Sequence, residues 1–322
     1  MHLYASNRVA CKRFIQNMKM MTVSLLDIAR TGLKLIFVAA VAIALNDIFF
    51  AVFLAGALSI EDFKSTDQRL YTSVIFIFCA VAVLGAYFLF RSVVRFIIKP
   101  DSPVGTHATS LRKVVQSFAI ALALVAGVLL VLTSAAAIKI EWFPARLGWG
   151  TPIMIIVAFF PGTVEEMAYR GIFYRYAKRH VSRVPAVLLT GLLFGGIHLN
   201  QVDTVIEAFL LMIAALAVTF LFIALYEWAG TLWAPIIVHW VWDMVFLNIG
   251  ISVTSNYSHM GPAESMFGNM AFTQFLHLDY VFGSQIVSGG GFGVDSSPIT
   301  TLIFGATALL FWYMASKKIS SI

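Results

Sequence analysis

The chain has 322 residues, 60% of them hydrophobic and 12% charged, with a mean hydropathy of +0.88. Soluble domains run near one quarter charged residues, so this composition excludes an ordinary soluble protein and points to an all-α, polytopic membrane protein. The net charge of +6 is scattered over short interhelical segments and forms no single patch, which argues against nucleic acid as a partner and suits membrane topology.

In chain order, residues 1–33 read as a cytoplasmic basic segment without a cleavable-signal pattern. Phe14, Ile15, Met18, Met21, Leu25 and Ile28 give it a loosely amphipathic, interfacial character. Cys11 and Cys79 are too few and too scattered for a disulfide framework. Apolar runs of spanning length then fall near 34–57, 71–90, 114–137, 152–175, 186–204, 205–226, 229–250 and 299–316, which predicts eight transmembrane helices. The fifth is the weakest, because it turns polar early at HLNQVDT. Residues 34–148 read as accessory helices, 149–250 as the core, 251–298 as a flexible external loop containing SGGGFG, and 299–322 as the last helix with a basic tail.

Lys and Arg positions test this arrangement. With both termini cytoplasmic, the inner segments hold seventeen basic residues and the outer segments four, namely Lys64, Arg69, Lys139 and Arg146. That is the bias the positive-inside rule requires. The remaining basic residue, Arg170, lies inside the fourth span.

The stretch PGTVEEMAYRGIFYR, residues 161–175, places two glutamates and an arginine within a membrane helix. Each such residue costs roughly 2.5–3.5 kcal/mol at mid-bilayer. Glu166 and Arg170 are four apart and can pair on one helix face. Glu165 is rotated by about 100° from Glu166, so the two carboxylates cannot meet one partner equally well. His198 in FGGIH (194–198) and His239 in HWVWD (239–243) are the histidines within spans, and Asp243 shares a face with His239. Counted from the start of each span, Glu165, His198 and His239 fall near a common depth. Gly191, Gly195 and Gly196 would let the fifth helix pack closely on a neighbour. A membrane helix also buries a Glu–Arg pair as structural glue, and a lone intramembrane histidine is often a satisfied hydrogen-bonder. Glu165, His198, His239 and Asp243 together, however, contain what activation of water requires.

These three stretches carry a resemblance. EEMAYR (165–170) resembles the EExxxR signature of the CPBP intramembrane protease family, which includes CAAX prenyl endopeptidases and bacteriocin-processing enzymes. FGGIH resembles that family's FxxxH motif, and HWVWD its HxxxN/D motif. The resemblance covers about 150–250 and implies an intramembrane bundle around a water-accessible site. It implies Glu165 as general base and His198 as its partner in activating water. It gives His239 and Asp243 to a metal or to the oxyanion, with Glu166, Arg170 and Phe194 shaping the site.

Position 243 separates two chemistries. An Asn there could donate to an oxyanion, whereas an ionised Asp only accepts. Two imidazoles and a carboxylate with an open water position are a catalytic-zinc ligand set, so His198, His239 and Asp243 are the expected metal ligands. A protonated Asp243, or a metal-independent glutamate mechanism, is the alternative. The function expected is therefore an intramembrane endopeptidase acting on a membrane-associated or lipidated peptide. Against it stand a non-catalytic scaffold or immunity-type protein of the same fold, and a cation transporter, for which paired broken helices in repeated halves are lacking. The expected host is a bacterial inner membrane, with an endoplasmic-reticulum enzyme as the alternative.

Overall fold

The computed structural model of the chain describes residues 27–49, 109–142, 158–160, 162–245, 276–280 and 285–320, with scattered positions between 51 and 93. Helix α1 covers Asp27–Phe49. Helix α2, Leu111–Ser134, begins where the Ser110 hydroxyl accepts from the Lys113 backbone N–H. A helix through 162–165 passes into a π-helical segment, Glu166–Tyr174, and then into α3, Arg175–His180. Helix α4, Arg183–Ile197, and α5, Val205–Ala229, form a hairpin joined by one 3-10 turn, Leu199–Gln201. Thr204 and Glu207 make a reciprocal capping box at the start of α5, and Gly230 at φ 77° closes its end. Helix α6, Trp233–Asp243, comes next; α7, Gln285–Ser288, and a 3-10 segment, Gly290–Ser296, precede α8, Pro298–Ser320.

Among the described residues, five helices are long and apolar enough to cross a membrane: α1, α2, α4 with the turn after it, α5 and α8. The chain is an integral membrane protein of all-α class. The fourth and seventh expected spans are present as the segment ending in α3 and as α6, while the second, 71–90, lies mostly outside the described residues. Helix α5 is central, with 50% of its most apolar stretch buried in the protein against 11% for α1.

Three sequence expectations need revising. Residues expected as connecting loop form a two-stranded antiparallel ribbon, β1 (Ile138–Trp142) with β2 (Leu276–Tyr280), whose register sets Ile138 opposite Tyr280 and Ile140 opposite Leu278. Apolar residues alternate in both pentapeptides, which is the period of a strand. The end of the expected external excursion is also built: the 3-10 segment packs on α5, with Val294 and Ser296 buried. Glu227 stands at the end of an apolar run, a position that by sequence reads as solvated, yet it is only 6% exposed. It accepts from Tyr174 Oη at 2.6 Å and from Arg183 Nε at 2.7 Å, and pairs with Lys178. Arg183 in turn donates to Ser316 Oγ at 2.9 Å and lies over the Trp312 ring. Four chain segments are thus tied at one carboxylate.

Two apolar clusters fill the bundle. One joins α2, α5, α6 and α8 through residues such as Val128, Leu225, Val238 and Phe304. The other surrounds the π-helical segment with α1, α4 and α5. Close approach of α4 to α5 depends on glycine: a Cβ at Gly191 would lie 2.7 Å from Leu216 Cδ2, and one at Gly195 would lie 2.8 Å from Met212 Sδ. Gly196 faces open space. Two of the three glycines therefore do the packing expected of them.

Candidate active site

The site lies between the π-helical segment, α4, α5 and α6. A Cβ at Gly162 would come within 3.3 Å of His239 Cβ and Cγ, so glycine there permits the close helix contact on which the site depends.

Arg170 is its anchor. Fully buried, it donates through one terminal nitrogen to Glu166 Oε1 and through the other to Thr219 Oγ1, each at 3.0 Å. Its guanidinium carbon is 4.6 Å from the Phe194 ring centroid and 5.1 Å from that of Phe222. A buried charge needs a partner and further hydrogen bonds to be tolerated. Glu166, Thr219 and two aromatic faces supply them.

Glu166 Oε1 also meets His239 Nδ1 at 3.1 Å. A carboxylate paired with a guanidinium accepts only, so His239 Nδ1 donates and, in the neutral ring, the lone pair is on Nε2. Around Nε2 stand Glu165 Oε2 at 3.9 Å and Asp243 Oδ2 at 3.5 Å. Both separations exceed the usual hydrogen-bond length, and both carboxyls lie close to the same ring nitrogen. The neighbouring glutamates meet this ring unequally, as their rotation about the helix implies: Glu166 is within hydrogen-bond length of Nδ1, while Glu165 is beyond it from Nε2. All four residues are buried, with Glu165 at 8%, His239 at 9%, Asp243 at 5% and Glu166 at 0% exposure.

His198 stands differently. Helix α4 ends at Ile197, and His198 is its C-cap, half-buried. Its Nδ1 donates to the Phe194 carbonyl at 2.7 Å, which directs the lone pair of the neutral ring to Nε2. The Phe194 ring packs at 4.8 Å from His198 and at 5.3 Å from Tyr169. Phe194 thus serves Arg170 with its ring and His198 with both ring and carbonyl.

The structure brings Glu165, Glu166, Arg170, His239 and Asp243 into one chain of contacts. The expected zinc trio of His198, His239 and Asp243 does not converge in this way: among the described residues, no three His, Cys, Asp or Glu side chains form a metal-holding group. Both histidines engage Nδ1 and leave Nε2 as the ring nitrogen that could ligate a metal, so the residue types suit zinc although the described side chains are not gathered around one point.

Sequence reasoning missed three contributors. Thr219 and Phe222 lie in the apolar middle of α5, and the Phe222 ring is 5.1 Å from that of His239. Asp295, in the glycine-rich stretch before α8, accepts from Trp242 Nε1 at 2.6 Å. It lies outside the five candidate spans, and burial pushes its carboxyl above the ordinary carboxylate range.

Fold and site together define a polytopic helical membrane protein with an ionisable constellation inside its bundle. Its residues 147–245 match the family described as type II CAAX prenyl endopeptidase Rce1-like. The match covers the segment that carries all three motifs and agrees with the resemblance they show. The chain is also 28% identical over 132 residues to the uncharacterized protein YpbD of Bacillus subtilis (strain 168), a match covering 37% of this chain and 62% of that protein. It therefore spans less than two thirds of that relative's length.

Proposed function

We propose that the protein is an intramembrane endopeptidase that hydrolyses a peptide bond of a membrane-associated or lipidated peptide, with water activated by Glu165. The observation that carries this reading is the approach of the buried Glu165 and Asp243 carboxyls to His239 Nε2 at 3.9 and 3.5 Å. Water held there gives a proton to the Glu165 carboxylate as its oxygen attacks the scissile carbonyl carbon. The tetrahedral oxyanion then collapses, the C–N bond breaks, and the Glu165 proton passes to the leaving amine. His198 Nε2 accepts from the same water and orients it. A protonated His239 keeps Nδ1–H on Glu166 and offers Nε2–H to the oxyanion. Glu166 and Arg170 fix that ring from behind and take no proton.

A zinc ion, were it held by His198, His239 and Asp243, would polarise the carbonyl and acidify water. The host expected from composition and topology is a bacterial inner membrane, with both termini cytoplasmic.

The test is cleavage of an internally quenched, farnesylated peptide with a CAAX-type C-terminus by purified protein in lipid, with and without chelator. Cleavage in both conditions is the expected result. Loss in chelator and recovery with zinc would replace this water activation by a metal-assisted one. No cleavage of this or of unprenylated membrane peptides would leave a scaffold that keeps the fold.

A further inference from the structure

The segment Gly289–Ser297 lies beyond the residues matched to the family, yet it borders the site. Its shape is built in. Gly289, Gly290 and Gly293 adopt φ of 106°, 65° and 74°, a region side-chain-bearing residues rarely enter. Ser297 Oγ donates to the Val287 carbonyl at 2.7 Å and accepts from the Ile299 N–H at 3.2 Å, closing the turn onto α8. Gly290 packs against Glu207, where a Cβ would lie 2.9 Å from Glu207 Cγ.

From this frame two side chains reach the site. The Phe292 ring stands edge-on to His198 with centroids 6.0 Å apart. Asp295 accepts the Trp242 indole N–H at 2.6 Å. Trp242 precedes Asp243 in the last turn of α6, and its ring packs on Phe304 of α8 at 4.8 Å. Asp295 also lies within electrostatic reach of His239, His198 and Glu165.

We propose that Asp295 is a positioning residue: by accepting from Trp242 it holds the last turn of α6, and with it His239 and Asp243, in register with Glu165. Trp is a donor only, so the bond requires an acceptor at 295 and nothing more. Without it the indole N–H loses this acceptor beside the site, and the turn loses a polar tie to the segment that leads into α8. For turnover the inference rests on the proteolytic reading; for the placement of α6 it does not.

Three variants of the full chain test it: Asp295→Ala, Asp295→Asn and Trp242→Phe. Backbone hydrogen exchange over residues 239–245, read by mass spectrometry on protein in nanodiscs, should rise in Asp295→Ala and in Trp242→Phe. It should stay near wild type in Asp295→Asn, which keeps an acceptor oxygen. With the farnesylated probe, kcat should fall about tenfold to a hundredfold in the first and third variants while KM stays within about twofold, as expected for misplacement near 1 Å. The Asp295→Ala, Trp242→Phe double variant should be no slower than either single one. Unchanged exchange in Asp295→Ala, or losses that multiply in the double variant, would overturn the inference. A wild type that cleaves nothing would sink the proteolytic reading alone, because the exchange arm still reads the tie.

Discussion

Glu165 and Glu166 are adjacent in sequence and opposite in circumstance. Glu166 is held by Arg170 and His239, whereas Glu165 approaches His239 Nε2 at 3.9 Å, within reach of a bridging water. Glu165→Gln should therefore cost about 10²–10⁴-fold in turnover, the usual worth of a general base, with unchanged behaviour in gel filtration and thermal unfolding. Near-full activity would remove Glu165 from that role. Arg170→Met strands Glu166 and should destabilise by roughly 3–5 kcal/mol. Adding Glu166→Gln should return part of that loss, as measured by thermal unfolding in a fixed detergent. A double variant no more stable than Arg170→Met would show the two are not energetically a pair. Position 243 discriminates between chemistries. If Asp243 acts without a metal, Asp243→Asn keeps or raises activity, since an amide is the better donor to an oxyanion. If it binds zinc, the same change lowers metal content and activity together, and added zinc restores part of both. Peptide cleavage and metal content measured on the same samples distinguish these outcomes.

At the scale of elements, what could be read from sequence was what lies within one helix. The four-residue spacings Glu166–Arg170 and His239–Asp243 report a shared face, and the structure places both pairs in contact. The spacing Phe194–His198 was legible as a motif, but its meaning was not: the histidine terminates α4, and the Phe194 ring serves a charge on another helix. Partners across helices left no periodic trace. Thr219 and Phe222 are two residues in a 25-residue apolar helix, and nothing in their spacing marks them as facing Arg170. Glu227 misled because proximity to a span end suggests water, while three basic or hydroxyl partners from other segments enclose it. The small residues were partly legible, and they separate cleanly by experiment. Gly195→Ala drives a Cβ to 2.9 Å from Ala215 Cβ and should destabilise by about 1–3 kcal/mol. Gly196→Ala, with nothing within 4 Å, should be neutral or slightly stabilising, because the unfolded chain loses more freedom than the helix does. Thermal unfolding of the two variants side by side is the check, and equal losses would refute the close α4–α5 approach.

For the whole molecule, the basic residues and the bundle concern different questions. The seventeen-to-four distribution of Lys and Arg bears on orientation, while the two apolar clusters on either side of the site hold its helices together. A reporter after Lys318 should read cytoplasmic, and one inserted between 251 and 275 should read external. Both on one side would mean an even number of crossings between them and an error in the eight-helix count.

The nine-residue π-helical segment has a consequence for the kinds of sequence change the protein can accept. π-Helices normally occur as single-turn bulges, each equivalent to one residue inserted into an α-helix, and often at functional sites. Here the segment Glu166–Tyr174 carries the Glu–Arg pair inside it and has Glu165 at its border. Length is then as constrained as composition. A deletion of Ala168 alone retains every motif side chain, yet it lets the segment relax towards an α-helix and shortens the Glu166–Arg170 separation from four residues to three, which takes the pair out of its present alignment. Such a protein should still insert, and its His239 should lose one glutamate or the other. Alignments that score this region by substitution alone would rate the deletion mild; a scan of single-residue deletions through 166–174 should find it among the most damaging changes in the chain.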